Sequence, residues 1–412
     1  MPPPSPSPDP ASAAVHRYTP DGPPLDAAER TPAGLTRALV TVGGELGFAR
    51  VGVTTAEPLE AARAHLEAFL AAGYAGTMAY LERLPRHDPR TLLPEARSVV
   101  VVAAAHGVRD LVPLRSRDGR LLGSVARYAR GADYHGVLRG LLSELAARLA
   151  TLAGRPLLAR VCVDTAPLLE RALAARAGIG FAAKSGMVIA PGLGSYFLLG
   201  ELVTDLELEP STAIRAGCGS CRACLDACPT RAFVGPQVLD ARRCIAYLTI
   251  ESSAPIPREL RSAIGQRVFG CDVCQEVCPY NAAGREPNGP LPARPELTTL
   301  DLVGLLELGS SGYRRLVQGS ALRRASLRML QRNAAVALGN SDDPRGVPAL
   351  ERALANNPSP LVRGHAAWAL GALCRHATPT TRGALERAAL GDSDAFVRAE
   401  ATAALEISAA PL

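Results

Sequence analysis

Eight of the ten cysteines fall between Cys218 and Cys278, at spacings that suit iron–sulfur ligands. In Cys218-x-x-Cys221-x-x-Cys224-x-x-x-Cys228-Pro229, three close thiolates can wrap three corners of one iron–sulfur cube. The fourth, held by a turn-making proline, points to another cube. The second run, Cys271-x-x-Cys274-x-x-x-Cys278-Pro279, has the last three positions of the same pattern, and its first position, 268, is valine. Cys244 is the only other cysteine nearby and can fill that gap. The expected ligand sets are Cys218, Cys221, Cys224 and Cys278 for one [4Fe–4S] cluster, and Cys271, Cys274, Cys244 and Cys228 for the other. A pair of four-cysteine zinc sites is the competing reading, and the trailing Cys-Pro on both runs speaks against it. Cys162 and Cys374 lie in apolar stretches and read as buried structural thiols.

Two cubes make a wire for single electrons, and a bare ferredoxin needs only some sixty residues. Here about 180 residues stand before the cysteines, and 412 residues in all predict two or three domains. The first 24 residues contain nine prolines, so residues 1–32 read as a disordered leader. Residues 33–212 alternate helix and strand patterns. Leu59–Ala71, Val137–Leu152 and Ala166–Ala175 have helical periodicity, while Ser98–Ala103, Leu157–Val163, Met187–Ala190 and Tyr196–Val203 read as strands. This predicts an α/β or α+β domain that holds a second cofactor or the substrate. Residues 213–290 form a ferredoxin-like two-cluster domain, and Asn281–Pro295, rich in Pro, Gly and Asn, reads as a boundary. Residues 298–412 are helical, with near-repeats at Arg332–Gly339, Val362–Gly371 and Val397–Leu405. The last two are 35 residues apart, which suggests a HEAT-like α-solenoid too short to stand without docking on the rest. The whole is a multidomain α+β chain.

No run approaches eighteen apolar residues, which excludes a membrane-spanning helix by sequence. Residues 1–30 lack a cationic start followed by an apolar stretch, so a reducing, cytoplasmic setting is expected. The net charge of +6 permits an anionic partner without demanding one. Of the 45 basic residues only Lys184 is a lysine, a compact point charge that arginine does not imitate.

The first domain has no Gly-rich dinucleotide fingerprint after a strand. Arg127-Tyr128-Ala129-Arg130-Gly131-Ala132-Asp133-Tyr134-His135 could line a polar pocket, but read alone it fits a solvated helix start. Asp164 follows a strand and precedes a helix. It or Thr165 could cap that helix, or Asp164 could act as an acid at the carboxyl end of a strand. Tyr313–Arg332 carries Arg314, Arg315, Arg323, Arg324, Arg328 and Arg332 with no acidic residue. That is either a phosphate-binding stripe or a solvated helix face.

Taken in order, these motifs resemble the epoxyqueuosine reductases, cobalamin- and iron–sulfur-dependent enzymes of tRNA modification. The resemblance rests on Tyr80-Leu-Glu-Arg83 with Arg86 and Asp88-Pro89-Arg90, the Arg127–His135 block, and Asp164-Thr-Ala-Pro-Leu-Leu-Glu-Arg171. It continues through Lys184, Gly194-Ser195, Leu199-Gly-Glu201, both cysteine runs, Cys244-Ile-Ala-Tyr-Leu-Thr-Ile-Glu251, and Arg332-Asn with Ala337-Leu-Gly-Asn340. It implies a cobalamin bound between the first and cluster domains, and an epoxide on a modified guanine of a tRNA anticodon as substrate. Asp164 matches the family's proton donor, a role that asks for a pKa raised by burial. Arg86, Arg127 and Lys184 would frame the cobalamin or the reacting base. The chain has Phe181, Ala183 and Ser185 where the family usually has tryptophan, glycine and asparagine. The electron donor is left unidentified, and a monomer is expected. Two other readings are a reductive dehalogenase, which usually carries a twin-arginine export signal, and a non-catalytic electron carrier, which would not need the first domain.

Overall fold

Ser98–Ala105 has no polar face, so a strand there must be covered on both sides. In the structure, a computed structural model that describes residues 14–82, 85–106, 119–282 and 289–409, every one of its eight residues is buried. Val100, Val102 and Ala104 pack toward the helices Pro32–Glu45 and Tyr134–Ala153. Val99, Val101 and Ala103 pack toward the helix Glu170–Arg176. The strands of the two main sheets are β1 (His16–Tyr18), β2 (Arg50–Thr55), β3 (Ser98–Ala105), β4 (Leu122–Val125), β5 (Leu157–Cys162), β6 (Phe197–Thr204), β7 (Arg267–Phe269) and β8 (Thr299–Asp301).

The larger sheet has the order β1-β5-β6-β3-β2, and every pairing is antiparallel. This settles the first domain as α+β rather than α/β. Its central strand β3 is a continuous apolar run because helices cover both faces, the condition that usually marks a parallel sheet.

The leader is corrected in part. Residues 1–13 lie outside the described residues, but His16–Tyr18 is an edge strand on Leu157–Ala159. Asp21 N–H donates to Thr151 Oγ1 at 3.0 Å, and Leu25 N–H to the Leu152 carbonyl at 3.2 Å. Prolines around three pairing residues hid the strand, since an edge strand tolerates them.

The smaller sheet ties three segments together. β4 pairs in parallel with β7 from the cysteine segment and antiparallel with β8 from the start of the helical tail. Gly123 is required there: a Cβ would stand 2.5 Å from Val268 Cγ1 and 2.6 Å from Leu302 Cδ2.

In the tail, Leu327–Gly339 packs on Pro360–Ala372, which packs on Ala395–Ala409. Gly339 permits the first contact, since a Cβ would come within 2.9 Å of Ala369. The tail docks on the cluster segment through buried polar groups. Arg332 is 0% exposed and donates to the carbonyls of Leu248, Ser252 and Ala254 and to Asn333 Oδ1. Asn333 donates to the Thr249 and Val268 carbonyls. Arg261 makes a two-pronged bridge to Glu400, both distances 2.8 Å. Arg332 therefore does not belong to a phosphate-binding stripe; it is a structural bolt. No described helix is long and apolar enough to cross a membrane.

Candidate active site

β5 ends at Cys162, and Asp164 follows with φ +54°, a left-handed backbone that costs a non-glycine residue about 1–2 kcal/mol. Asp164 does not cap the next helix, which starts at Glu170 with no side-chain cap. Its carboxylate instead accepts from Tyr134 Oη at 3.1 Å, and His135 Nε2 stands 3.3 Å from the same oxygen. His135 Nδ1 is bonded to Asp133 Oδ1 at 2.7 Å. The Arg127–His135 block is thus a cleft wall, not a solvated helix start. Arg130 and Tyr134 are buried, and the Tyr134 ring stacks on His135 at 4.2 Å.

Asp164 stands open to solvent on one side. Water reaches 48% of its side chain, yet protein crowds it from most directions. That crowding pushes its carboxyl upward, but His135, Arg324 and Tyr134 together outweigh it and hold the group below its ordinary value. The raised acid expected at Asp164 is therefore not found there. The displaced protons sit beside it. Burial opposes a charge on His135, but Asp133 and Asp164 raise it to about 9. Burial, then the charge of Asp164, pushes Glu170 to about 8. Glu201, on β6 beneath, is raised well above the carboxylate range by burial and by Glu170. Glu170 and Glu201 carried no assignment in the sequence. The only available signal was their place in the Asp164–Arg171 and Leu199–Glu201 motifs.

Several buried donors around this cleft have no hydrogen-bond partner among the described residues: Arg86 Nε, Arg127 Nε and Tyr196 Oη. Arg86 reaches the Tyr80 carbonyl at 3.0 Å and covers the Tyr80 ring, which Arg324 covers as well. Arg127 lies over the Tyr196 ring at 4.5 Å, and its N–H donates to Asp272 Oδ2, between the two cysteines Cys271 and Cys274. Arg86 and Arg127 thus flank the cleft, one on the Asp164 side and one on the cluster side. Arg83 lies outside the described residues.

The cysteines gather in two groups. Cys218, Cys221, Cys224 and Cys278 line one pocket with Ala183, Pro279 and Tyr280. Cys244 senses the charge of Cys228, Cys271 that of Cys244, and Cys274 those of Cys271 and Cys244. Two one-turn helices, Ala223–Asp226 and Val273–Glu276, bring the runs together. Asn281 fixes the second run to the first domain by exchanging bonds with Ser195: its Oδ1 accepts the Ser195 N–H at 2.8 Å, and its Nδ2 donates to Ser195 Oγ at 3.0 Å. Burial raises the Cys271 thiol to about 11 and Cys274 further. A bound iron reverses that logic and deprotonates its ligands. Backbone N–H groups of Lys184 and Ala232 point at Cys218 Sγ and Cys228 Sγ, at 3.4 and 3.3 Å.

Lys184 is not at the cleft wall. Its Nζ donates to the carbonyls of Gly219 and Cys221 at 2.7 and 2.9 Å, so the chain's one lysine braces the first cysteine loop. Of the expected RNA contacts, Arg314 and Arg315 are exposed on the helix Ser310–Val317, and Arg323 is exposed with Asp133 at 3.6 Å. Arg324 turns inward, pairing with Glu251 and facing Asp164. Cys162 is buried with its thiol near the Arg160 carbonyl, while Cys374 is half-buried.

Comparison with known proteins follows this division. Residues 86–165 match the family described as "Epoxyqueuosine reductase QueG, DUF1730", residues 217–281 a 4Fe-4S double cluster binding domain, and residues 319–406 HEAT repeats. The epoxyqueuosine reductase of Pseudomonas aeruginosa is 43% identical over 350 residues, covering 82% of this chain and 94% of its own length. A crystal structure of an epoxyqueuosine reductase with an epoxyqueuosine-modified tRNA-Tyr stem loop superposes with TM-score 0.81 at 34% identity, covering 91% of this chain and 99% of the other. A Bacillus subtilis epoxyqueuosine reductase whose aspartate catalytic loop is swung out of the active site superposes with TM-score 0.79 at 33% identity, covering 90% of this chain and 98% of the other. With this identity along nearly the whole of its relatives, the chain belongs to the epoxyqueuosine reductase family.

Proposed function

We propose that the chain reduces epoxyqueuosine in a tRNA anticodon stem loop to queuosine. The observation that carries this is Asp164. It is held in a left-handed backbone at the end of β5, bonded to Tyr134 of the block whose first residue, Arg127, is bonded to Asp272 in the cysteine segment. The relative solved with a modified stem loop supports the substrate, and the relative whose aspartate catalytic loop is swung out of the active site supports the role of the Asp164 loop.

Loss of an epoxide oxygen as water takes two electrons and two protons and leaves an alkene. The eight cysteines would ligate two [4Fe–4S] clusters in the sets given by their spacing. Cobalamin would lie in the cleft, where the unpaired donors of Arg86, Arg127 and Tyr196 suit the amide carbonyls that ring it. When bound, it supplies a low-valent cobalt centre able to engage the epoxide-bearing ring. The chain's own groups handle the protons. Asp164 delivers one to the departing oxygen, and Tyr134 Oη orients its carboxylate. His135, cationic up to about pH 9, keeps a second proton at the site, 3.3 Å from that carboxylate. Arg314, Arg315 and Arg323 contact the RNA backbone, while Arg324 and Tyr80 line the mouth of the cleft.

The test is nucleoside mass spectrometry of epoxyqueuosine-containing tRNA with anaerobic, cluster-replete, reduced protein, with and without cobalamin. Cobalamin-dependent loss of one oxygen mass is expected. No conversion with cobalamin bound and clusters intact defeats the proposal.

A further inference from the structure

Glu201 lies within β6, opposite Val101 of β3 and Cys162 of β5, and is 0% exposed. Neither of its carboxyl oxygens meets a donor among the described groups. Its polar neighbour is the Glu170 carboxyl, close enough to form a side-chain hydrogen bond. Two carboxylates are acceptors only. Contact between them in a buried site requires a proton on one, because two like charges at this distance do not both ionise. The missing donor of Glu201 and the contact with Glu170 therefore have one explanation.

Glu170 also reaches the other way. Its Oε1 accepts the Asp164 N–H at 2.6 Å, across the turn that holds Asp164 at φ +54°. An unfavourable backbone needs a restraint, and this bond supplies one at the residue concerned. We infer that Glu170 and Glu201 share a single proton, and that this acid pair is the latch that fixes the Asp164 loop in its working position. Both are positioning residues: neither carboxyl touches the Asp164 carboxylate's hydrogen-bond partners. Losing the shared proton sets two anions against each other beside a third, Asp164. Glu170 is then driven off the Asp164 N–H and the loop is released. The charged and titratable groups facing the pair are Asp164, Cys162, Tyr134, Arg86 and Arg171. The two arginines favour ionisation, and Asp164 opposes it. His135 acts on the Asp164 carboxylate and titrates on the same side of neutrality.

The role of the latch in turnover rests on the proposed reaction, but the latch itself has a readout that does not. Hydrogen exchange of the amides of residues 163–169 is measured in holoprotein without RNA from pH 6 to 10, each rate divided by its intrinsic value. Protection is expected to fall at least tenfold through one alkaline titration step. Glu201→Gln keeps a donor to Glu170 but cannot titrate, so it should abolish that step and carry the alkaline limb of turnover to higher pH. Glu170→Ala should remove protection at every pH while both clusters and cobalamin remain bound, and Glu170→Gln, which still accepts from the Asp164 N–H, should restore it. Flat protection in the wild type overturns the inference, as does a step that persists unchanged in Glu201→Gln, which would belong to His135. If the wild type converts no epoxyqueuosine, the proposed reaction fails while the exchange result still decides the latch.

Discussion

Two buried polar regions of this molecule are built on opposite terms. Where the helical tail meets the cysteine segment, the long buried polar side chains are answered: Arg332 is satisfied by three carbonyls and Asn333, Asn340 by the Arg261 and Gly265 carbonyls, and Arg261 by Glu400. In the cleft, Arg86, Arg127 and Tyr196 keep donors unanswered among the described residues, and Asp164 sits in a costly backbone. A saturated network locks parts together. An unsaturated one has given up stability to leave valences open for something else. The same residue types occur in both, so it is the count of partners, not the composition, that separates scaffold from site.

Variants can sharpen or break that distinction. The largest effect is expected at Asp164. Asp164→Asn should lower turnover by about 10²–10⁴-fold with unchanged cluster and cobalamin absorbance; normal turnover would remove the acid from the scheme. Next comes Arg332→Met, which strands three buried carbonyls and should cost about 3–5 kcal/mol of stability in urea unfolding. Arg86→Met is the matched control, expected to change stability by less than about 1 kcal/mol but to weaken cobalamin binding in an absorbance titration. If the two arginine variants cost the same stability, the distinction collapses. Arg323→Ala should leave the fold intact and lower the slope of log affinity for tRNA against log salt by about one. The smallest expected effect is at Lys184→Met, where loss of a cation beside the first cysteine loop should make that cluster harder to reduce in an EPR-monitored titration.

One pH dependence follows from His135. Its folded pKa, about 9, stands above the ordinary 6.5. Its cation therefore contributes stability in full below about 6.5, and that contribution is lost as pH rises through 9. Glu170 acts with the same sign, over a lower window. Raised to about 8, it is most comfortable at low pH and costs stability progressively as pH rises from its ordinary 4.5 toward 8. Both push the same way: the cleft should loosen in alkali, visible as local hydrogen exchange before global unfolding.

The cysteine runs and the place of Asp164 just past a strand end were legible in the sequence, the runs by their fixed spacing and Asp164 by the apolar run before it. Arg332 was not: a buried arginine and an exposed one look alike when both lie on an Ala-rich helix, and here the small residues let that helix be covered on all sides. Lys184 stood out by its rarity, but rarity does not say what a side chain touches. Residues 16–18 were hidden because an edge strand so short needs no apolar run. The antiparallel order of the larger sheet was hidden because cover on both faces erases the alternation that would have shown it. The Glu170–Glu201 pair was invisible for a simpler reason, since the two residues meet only where the helix Glu170–Arg176 packs on the sheet.

Strand β4 has a consequence in time. Both of its neighbours, β7 and β8, are encoded more than a hundred residues after it. At ribosomal rates of about 5–20 residues per second, β4 waits on the order of ten seconds or more for a partner. Over the same interval five of the eight cysteines, Cys218 to Cys244, emerge without the three that complete their sets. Closure of the small sheet and completion of the cysteine groups thus await the same stretch of chain. Iron delivered before that stretch is made would meet half a site, so the architecture itself sets the moment at which the metallocentres can be assembled.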